Sequence, residues 1–311
     1  MSIDIALPTY NCAPWLNGLF ESILEQNVTD WRILARDDAS KDNTAAVLDD
    51  WQQRLGDRMV ILSDSGQSNL GMVRNYNAVL SETSAPWVML ADPDDVWLPD
   101  KIQATLRAML AAEGSASERT PVVVCSDAMV VDKDLKIVAP SYWQWSRHDP
   151  DLLDVFHRLI IESPALTSTM MLNRALLDLA LPMTGASCPD WWLALVAGAF
   201  GRIVRLPQST ILYRRHPAND SLDPLASTLP HATRRVFQAR ARLDRLINQL
   251  APQAAVFLSR FRDRILPKDA AALGAAERLP SLGPLERRVA VLRHDLLFAS
   301  PLKNAGLMLL L

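Results

Sequence analysis

Trp87-Val88-Met89-Leu90-Ala91 runs straight into Asp92-Pro93-Asp94-Asp95. The first five residues read as an apolar strand, and the next four stop it in a cluster of three carboxylates. The same pattern recurs upstream. Ile3-Asp4-Ile5-Ala6-Leu7, Trp31-Arg32-Ile33-Leu34-Ala35 and Met59-Val60-Ile61-Leu62 read as three further strands. Between them, apolar residues recur at helical spacing over Ala13 to Gln26 (Trp15, Leu16, Leu19, Phe20, Ile23, Leu24), Ala45 to Leu55 and Met72 to Ser81. Strands alternating with helices at this spacing predict an α/β fold, a parallel sheet with right-handed crossovers. Ligands bind such sheets at the carboxyl ends of the strands. Polar clusters stand at those ends here: Pro8-Thr9-Tyr10-Asn11, Asp37-Asp38 and Asp92-Pro93-Asp94-Asp95.

Past about residue 120 the pattern changes. Val122–Cys125 reads as a strand, Met129–Val138 as strand plus turn, Leu152–Ile161 as a helix, and Ala165–Leu172 as strand-like. Trp191–Ala199 reads as a short helix, followed by two strands, Ile203–Leu206 and Thr210–Tyr213. Ala111–Thr120 reads as a polar loop, and Asp220–Pro230 as a linker.

The chain has 311 residues, 49% of them apolar and 22% charged, which are globular proportions and argue against disorder. Three cysteines (Cys12, Cys125, Cys188) lie far apart with no C-x-x-C pattern, which argues against a disulfide framework or a structural zinc site and for a reducing, cytoplasmic setting. The opening MSIDIALPTYN lacks a basic stretch followed by an apolar run, and no apolar run is long enough for a spanning helix. The net charge of −3 hides an asymmetry. Residues 1–231 carry 18 basic and 29 acidic side chains (−11), whereas 232–311 carry 14 and 6 (+8). The expected organisation is a body over 1–220 and a basic, mainly helical extension over 221–311. In that extension Val236, Ala239, Leu243, Leu246, Ile247 and Leu250 share one helical face, with Arg234, Arg235, Arg242 and Arg245 largely elsewhere. Such a helix either lies on an anionic membrane surface or packs its apolar face on the body.

The clusters carry chemistry. Three neighbouring carboxylates at 92–95 repel one another unless a cation neutralises them, and oxygen donors suit Mg²⁺ or Mn²⁺. Asp is also an ordinary turn residue, so a simple loop stays open. Asp38 could accept hydrogen bonds from a base N–H or ribose hydroxyls while Ser40 or Asp42 caps the next helix. Asn69-Leu70-Gly71-Met72-Val73-Arg74 puts a guanidinium in the first turns of a helix, suited to a diphosphate or equally to solvent. Pro189-Asp190-Trp191-Trp192 sets a carboxylate before two indoles, whose desolvation would raise it toward a useful general base; a helix cap is the alternative. His216, just after a strand, could complete a metal site with Asp94 or be a surface hydrogen-bonding residue.

Taken together, Pro8-Thr9-Tyr10-Asn11, Asp37-Asp38-Ala39-Ser40-x-Asp42-x-Thr44, Asn69-x-Gly71-x-x-Arg74-Asn75 and Asp92-Pro93-Asp94-Asp95 resemble a family 2 glycosyltransferase of GT-A type. Trp97-Leu98-Pro99-Asp100-Lys101-Ile102, Pro189-Asp190-Trp191-Trp192 and Tyr213-Arg214-x-His216 are similar to bacterial rhamnosyltransferase-like members that build surface polysaccharides. The resemblance spans roughly residues 1–220.

The resemblance implies a GT-A type, Rossmann-like fold, a mixed, mostly parallel sheet flanked by helices with a C-terminal helical extension, and an inverting, metal-dependent transferase. Pro8, Thr9, Tyr10, Asn11, Asp38 and Asn69 would line the nucleotide-sugar site, with Thr9, Tyr10 and Asp38 at base and ribose. Arg74 would lie near the phosphates or sugar, and Asp92 near ribose and metal. Asp94 and His216 would ligate the divalent cation, and Asp190 would be the catalytic base. The implied donor is dTDP-rhamnose, then a UDP-sugar. The implied acceptor is a saccharide or lipid-linked saccharide, with a peripheral contact to the inner face of the cytoplasmic membrane and no nucleic acid partner. Two positions depart from the family pattern: Ala39 stands where Gly is usual, and Pro189 precedes the catalytic Asp. The competing readings are a non-catalytic nucleotide-sugar-binding scaffold and a nucleotidyltransferase; the latter usually shows a Gly-rich basic stretch after the first strand, which Pro8-Thr9-Tyr10-Asn11 is not.

Overall fold

The computed structural model describes residues 2–63, 69–115, 119–216, 232–298 and 300–311. Among them one sheet is built from β1 (Ile3–Thr9), β2 (Trp31–Asp37), β3 (Met59–Ile61), β4 (Trp87–Leu90), β5 (Val96–Trp97), β6 (Val122–Val131), β7 (Ile137–Ala139), β8 (Met170–Asn173) and β9 (Arg202–Arg214). The strand order is β3-β2-β1-β4-β8-β6-β9-β5, with β7 paired to β6. The first four strands are mutually parallel, β8 is antiparallel to both β4 and β6, and β9 runs parallel to β6. The flanking helices are α1 (Ala13–Leu24), α2 (Thr44–Leu55), α3 (Met72–Ser81), α4 (Lys101–Gly114), α5 (Tyr142–Trp145), α6 (Phe156–Ile161), α7 (Arg174–Ala180) and α8 (Pro189–Phe200). The chain closes with α9 (Ala232–Phe261), α10 (Pro267–Arg278), α11 (Pro284–Arg293) and α12 (Pro301–Leu310).

Every residue of β1 is buried because helices cover both faces of the sheet. Ile3, Ile5 and Leu7 share a core with Leu16, Phe20 and Trp51 of α1 and α2. Ala6 belongs to the opposite core with Tyr76 and Val79 of α3. Register then aligns the strand ends: Thr9 pairs with Asp37, and Ala6 with Leu90. The three polar clusters therefore leave the sheet at one edge, as the strand-helix alternation implies.

Several boundaries differ from the sequence reading. The polar run from Ala111 is helical as far as Gly114, because small residues such as Ala112 still pack inward. The two strands expected at 203–206 and 210–213 are one long strand, β9, which absorbs the intervening Pro207 through register shifts opposite Ser126–Met129. The helix expected over 152–161 is a 3-10 turn (Pro150–Asp154) followed by α6. The strand expected over 165–172 is confined to β8 after a 3-10 turn at Thr167–Thr169. Helix α8 begins two residues early, since Pro189 fits the first helical position.

The basic extension is no appendage in its packing. Leu243, Ile247, Leu250, Phe257 and Phe261 of α9 and Leu273 of α10 join the core that contains Trp192 and Leu172. The face expected on α9 is thus used against the body, wherever its side chains are described. The linker 220–230 and the Val236 side chain lie outside the described residues.

Candidate active site

Strand β4 ends because Asp92-Pro93-Asp94-Asp95 turns the chain toward β5, which pairs antiparallel with the far end of β9. That turn is fastened from four sides. Tyr76 of α3 donates its hydroxyl to Asp92 Oδ1 at 2.6 Å. Asp95, buried, accepts from Ser168 Oγ at 2.5 Å and from the Arg214 amide at 3.1 Å. Arg214 Nε donates to the Asp94 carbonyl at 2.8 Å. His216 Nε2 lies 2.9 Å from Asp94 Oδ2, and Trp15 of α1 stacks on the imidazole at 4.9 Å. Beneath the turn Lys101, wholly buried, donates to the Ser168 carbonyl at 2.8 Å and sits 4.8 Å from the Trp97 ring.

Electrostatics mark these groups as one cluster. Burial, then Asp94, push the Asp92 carboxyl up to about 7, and the charge of Asp190 adds to the push despite the Tyr76 hydrogen bond. Burial and the charges of Asp94 and Asp92 likewise raise Asp95. Burial pulls Lys101 down to about 7 against the pull of Asp95 and Asp92. Burial also raises Asp190, opposed by hydrogen bonds from Cys188, the Trp191 amide and Thr167. Asp190 sits in the first turn of α8, with Oδ1 accepting from the Trp191 amide at 2.7 Å. Its charge acts on Asp92, so the two carboxylates lie near one another although nearly one hundred residues separate them.

Buried acids packed this closely are short of positive charge. Asp94 and His216 offer an oxygen and a nitrogen donor side by side, a set suited to Mn²⁺ or Mg²⁺. Among the described residues no group of three His, Cys, Asp or Glu forms a complete protein cage. Two donors nevertheless fit, because such ions commonly keep waters and ligand phosphates in the remaining positions.

The nucleotide-side residues divide into two groups. Thr9 is buried; its hydroxyl is committed to the Arg36 carbonyl and Asp37 Oδ1, and its carbonyl accepts from the Asp38 amide. Asp38 is buried too. It accepts from Arg36, from the Leu70 amide (2.9 Å) and from the Gly71 amide (2.8 Å), while Asn69 Nδ2 bonds its carbonyl at 3.0 Å. These residues clamp the turn before α3, and Gly71, at φ +81°, permits that turn. Pro8 is buried inside β1, and Asn11 ties Ser40 and Lys41 to the β1 end. Exposed groups remain at Tyr10 and at Arg74 in the first turn of α3. The expectation that Ser40 caps the next helix is corrected: its hydroxyl donates to Asp37 Oδ1 at 2.6 Å, and Asp42 instead accepts from the Thr44 amide at 3.0 Å.

Sequence reading passed over Tyr76, Ser168, Thr167, Trp15 and the structural weight of Lys101 and Arg214. Tyr76 looks like one more inward residue of an amphipathic helix, and Ser168 sits in a short 3-10 turn with no distinguishing pattern. Lys101 was visible, since a lysine at the start of a helix next to Trp97 invites the question of what it neutralises.

The sheet order and its flanking helices are those of a GT-A type fold, with an acid-rich turn after the fourth strand. Residues 4–134 match the family model described as glycosyl transferase family 2. The chain is 24% identical over 236 residues to an uncharacterised glycosyltransferase of Nostoc sp., covering 73% of this chain and 69% of that one. It is 26% identical over 108 residues to the UDP-Glc:alpha-D-GlcNAc-diphosphoundecaprenol beta-1,3-glucosyltransferase WfgD of Escherichia coli, covering 35% of this chain and 41% of that one. Among solved structures, the mannosyltransferase PcManGT of Pyrobaculum calidifontis, in complex with GDP-Man and Mn²⁺, superposes with a TM-score of 0.57 at 17% identity over 99% of this chain and 78% of that one. S. aureus TarS 1-349 with UDP-GlcNAc superposes with a TM-score of 0.54 at 15% identity over 92% and 83%. At these identities the superpositions establish the fold.

Proposed function

We propose that the protein transfers a sugar, with inversion, from a nucleotide-diphosphate sugar to an acceptor hydroxyl in the building of a surface polysaccharide. The observation that carries this reading is the pairing of Asp94 with His216 at 2.9 Å in the acid-rich turn, with Asp92 in that turn and Asp190 near enough for its charge to act on Asp92. Asp190, raised by burial, is a carboxylate made more basic than usual, and Cys188, Thr167 and the Trp191 amide orient it. It takes the acceptor hydroxyl's proton as that oxygen bonds to the anomeric carbon and the bond to the diphosphate oxygen breaks. A divalent cation held by Asp94 and His216, with Asp92 beside them, would supply charge neutralisation for the departing nucleoside diphosphate. Tyr10 offers a ring for the base, Arg74 a guanidinium for the phosphates, and Asp38 holds the turn that carries Arg74's helix.

The rhamnose preference rests on the motifs around Trp97, Asp190 and His216, with a UDP-sugar second. A lipid-linked acceptor is supported by the undecaprenol-linked substrate named for the E. coli relative. It would place the enzyme at the inner face of the cytoplasmic membrane. The test is to incubate the chain with dTDP-rhamnose and with UDP-hexoses, Mn²⁺ and lipid-linked acceptors. Release of free nucleoside diphosphate that stops with excess chelator supports the reading; release of pyrophosphate, or turnover indifferent to chelator, contradicts it.

A further inference from the structure

Helix α11 wears its apolar stripe on the outside. Leu285, Val289 and Leu292, spaced i, i+4, i+7, are 72%, 54% and 60% exposed and fall on one helical face. The opposite side is the packed one: Val291 is buried, and Arg287 Nε donates to the Leu279 carbonyl at 2.8 Å. Arg288 Nε bonds the Met308 carbonyl at 2.8 Å, which brings α12 alongside, and its neighbour Leu309 is 82% exposed. A single exposed leucine is ordinary, but three large apolar side chains in one stripe, with a fourth exposed on the adjoining helix, call for an occupant.

The surrounding charge says which. Arg293 is exposed at the end of the same helix, and it and exposed Arg278 both act on His294. The one acid of α11, Glu286, is spent on the Gly283 amide at 2.9 Å. The whole segment 232–311 carries +8, against −11 for the rest. A second copy seated face to face would press arginines against arginines. An anionic bilayer matches both features, because headgroups take the arginines while the acyl boundary takes the leucines. No described helix is long and apolar enough to cross a membrane, so the contact lies in the interface plane.

We propose that the α11–α12 face docks the protein on a bilayer rich in anionic phospholipid. This moves the membrane contact from α9, whose apolar face is buried, to the end of the chain, and it rests on the reading of a membrane-borne acceptor only for its purpose. The experiment is flotation of the full chain with phosphatidylcholine vesicles, with and without phosphatidylglycerol, and with no sugar donor or acceptor present. The parent should float with the anionic vesicles and stay behind with the neutral ones. Leu285→Ser combined with Val289→Ser and Leu292→Ser should lower partitioning by about tenfold or more, and Arg293→Glu should weaken it on anionic vesicles alone. All these side chains are exposed, so thermal unfolding should match the parent. No flotation of the parent, or equal flotation of the triple variant, overturns the proposal. A parent dimer in light scattering that the triple variant makes monomeric would assign the face to a second copy and overturn it as well. Because no sugar chemistry enters the measurement, its failure leaves the transfer reading intact, and the reverse also holds.

Discussion

Ala39 stands at φ +59°, the left-handed region that an L side chain enters at a cost. It follows Asp38, whose carboxylate is saturated by Arg36 and by the amides of Leu70 and Gly71, so the strained residue lies in a turn pinned from one end. Replacing Gly by Ala here therefore stores strain rather than redirecting the chain. Ala39→Gly should raise stability by about 0.5–1 kcal/mol, the relief of strain exceeding the added chain entropy. Thermal unfolding of the two proteins checks this; a lower midpoint for the glycine form would show that the turn is unstrained. Pro189, the other departure from the family pattern, proves benign, for at the first position of α8 it starts the helix that presents Asp190.

At the scale of elements, the sheet is wired to its loops through buried charge. Asp4 of β1 accepts from Arg32 Nε at 2.6 Å and from the amides of Ser84 and Ala85 at 2.7 and 2.9 Å, and so locks the loop from α3 into β4. Burial alone would raise its carboxyl, but the Arg32 side chain and the two amides reverse that and hold it below the usual range. A lowered folded pKa contributes stability that is fully present above the unfolded value and lost as pH falls through the folded one. Asp4→Asn should thus cost about 3 kcal/mol near neutral pH, with the difference shrinking in acid; urea unfolding at the two pH values tests it, and a pH-independent difference would contradict it. The alternation of β1 to β4 with α1 to α3 was legible because each element spans several periods of its pattern. Two-residue β5 has too few residues to show any period, and the continuity of β9 through Pro207 depends on its partner β6. At the site, the acids were readable as strand ends, whereas the neighbours that fasten them (Tyr76, Ser168, Trp15) are chosen by tertiary packing that no local pattern records.

At the scale of the molecule, the chain's two charge halves share one interior. Phe257 of α9 is fully buried, with its ring 5.7 Å from Trp192 of α8 and close to Phe156, Phe200 and Phe261. Phe257→Ala should cost about 3–5 kcal/mol, and body and extension should still unfold in a single calorimetric transition. Two separable transitions would show that the basic extension folds by itself. Of the two readings of α9, packing on the body is the one the fold bears out: its apolar periodicity reports burial, and only the fold shows that the stripe of α11 is left outside.

In the proposed transfer, Asp190 is the base that takes the acceptor's proton beside the donor. The most direct test is the turnover and donor affinity of Asp190→Asn, measured across pH beside the parent. We predict that the variant binds the donor as the parent does while kcat falls by about a thousandfold. The parent's rate should fall on the acid side at a pH above the ordinary aspartate range, because the carboxyl is raised and must be ionised to accept the proton. A variant that turns over at near-parent rate with the same acid limb would contradict it.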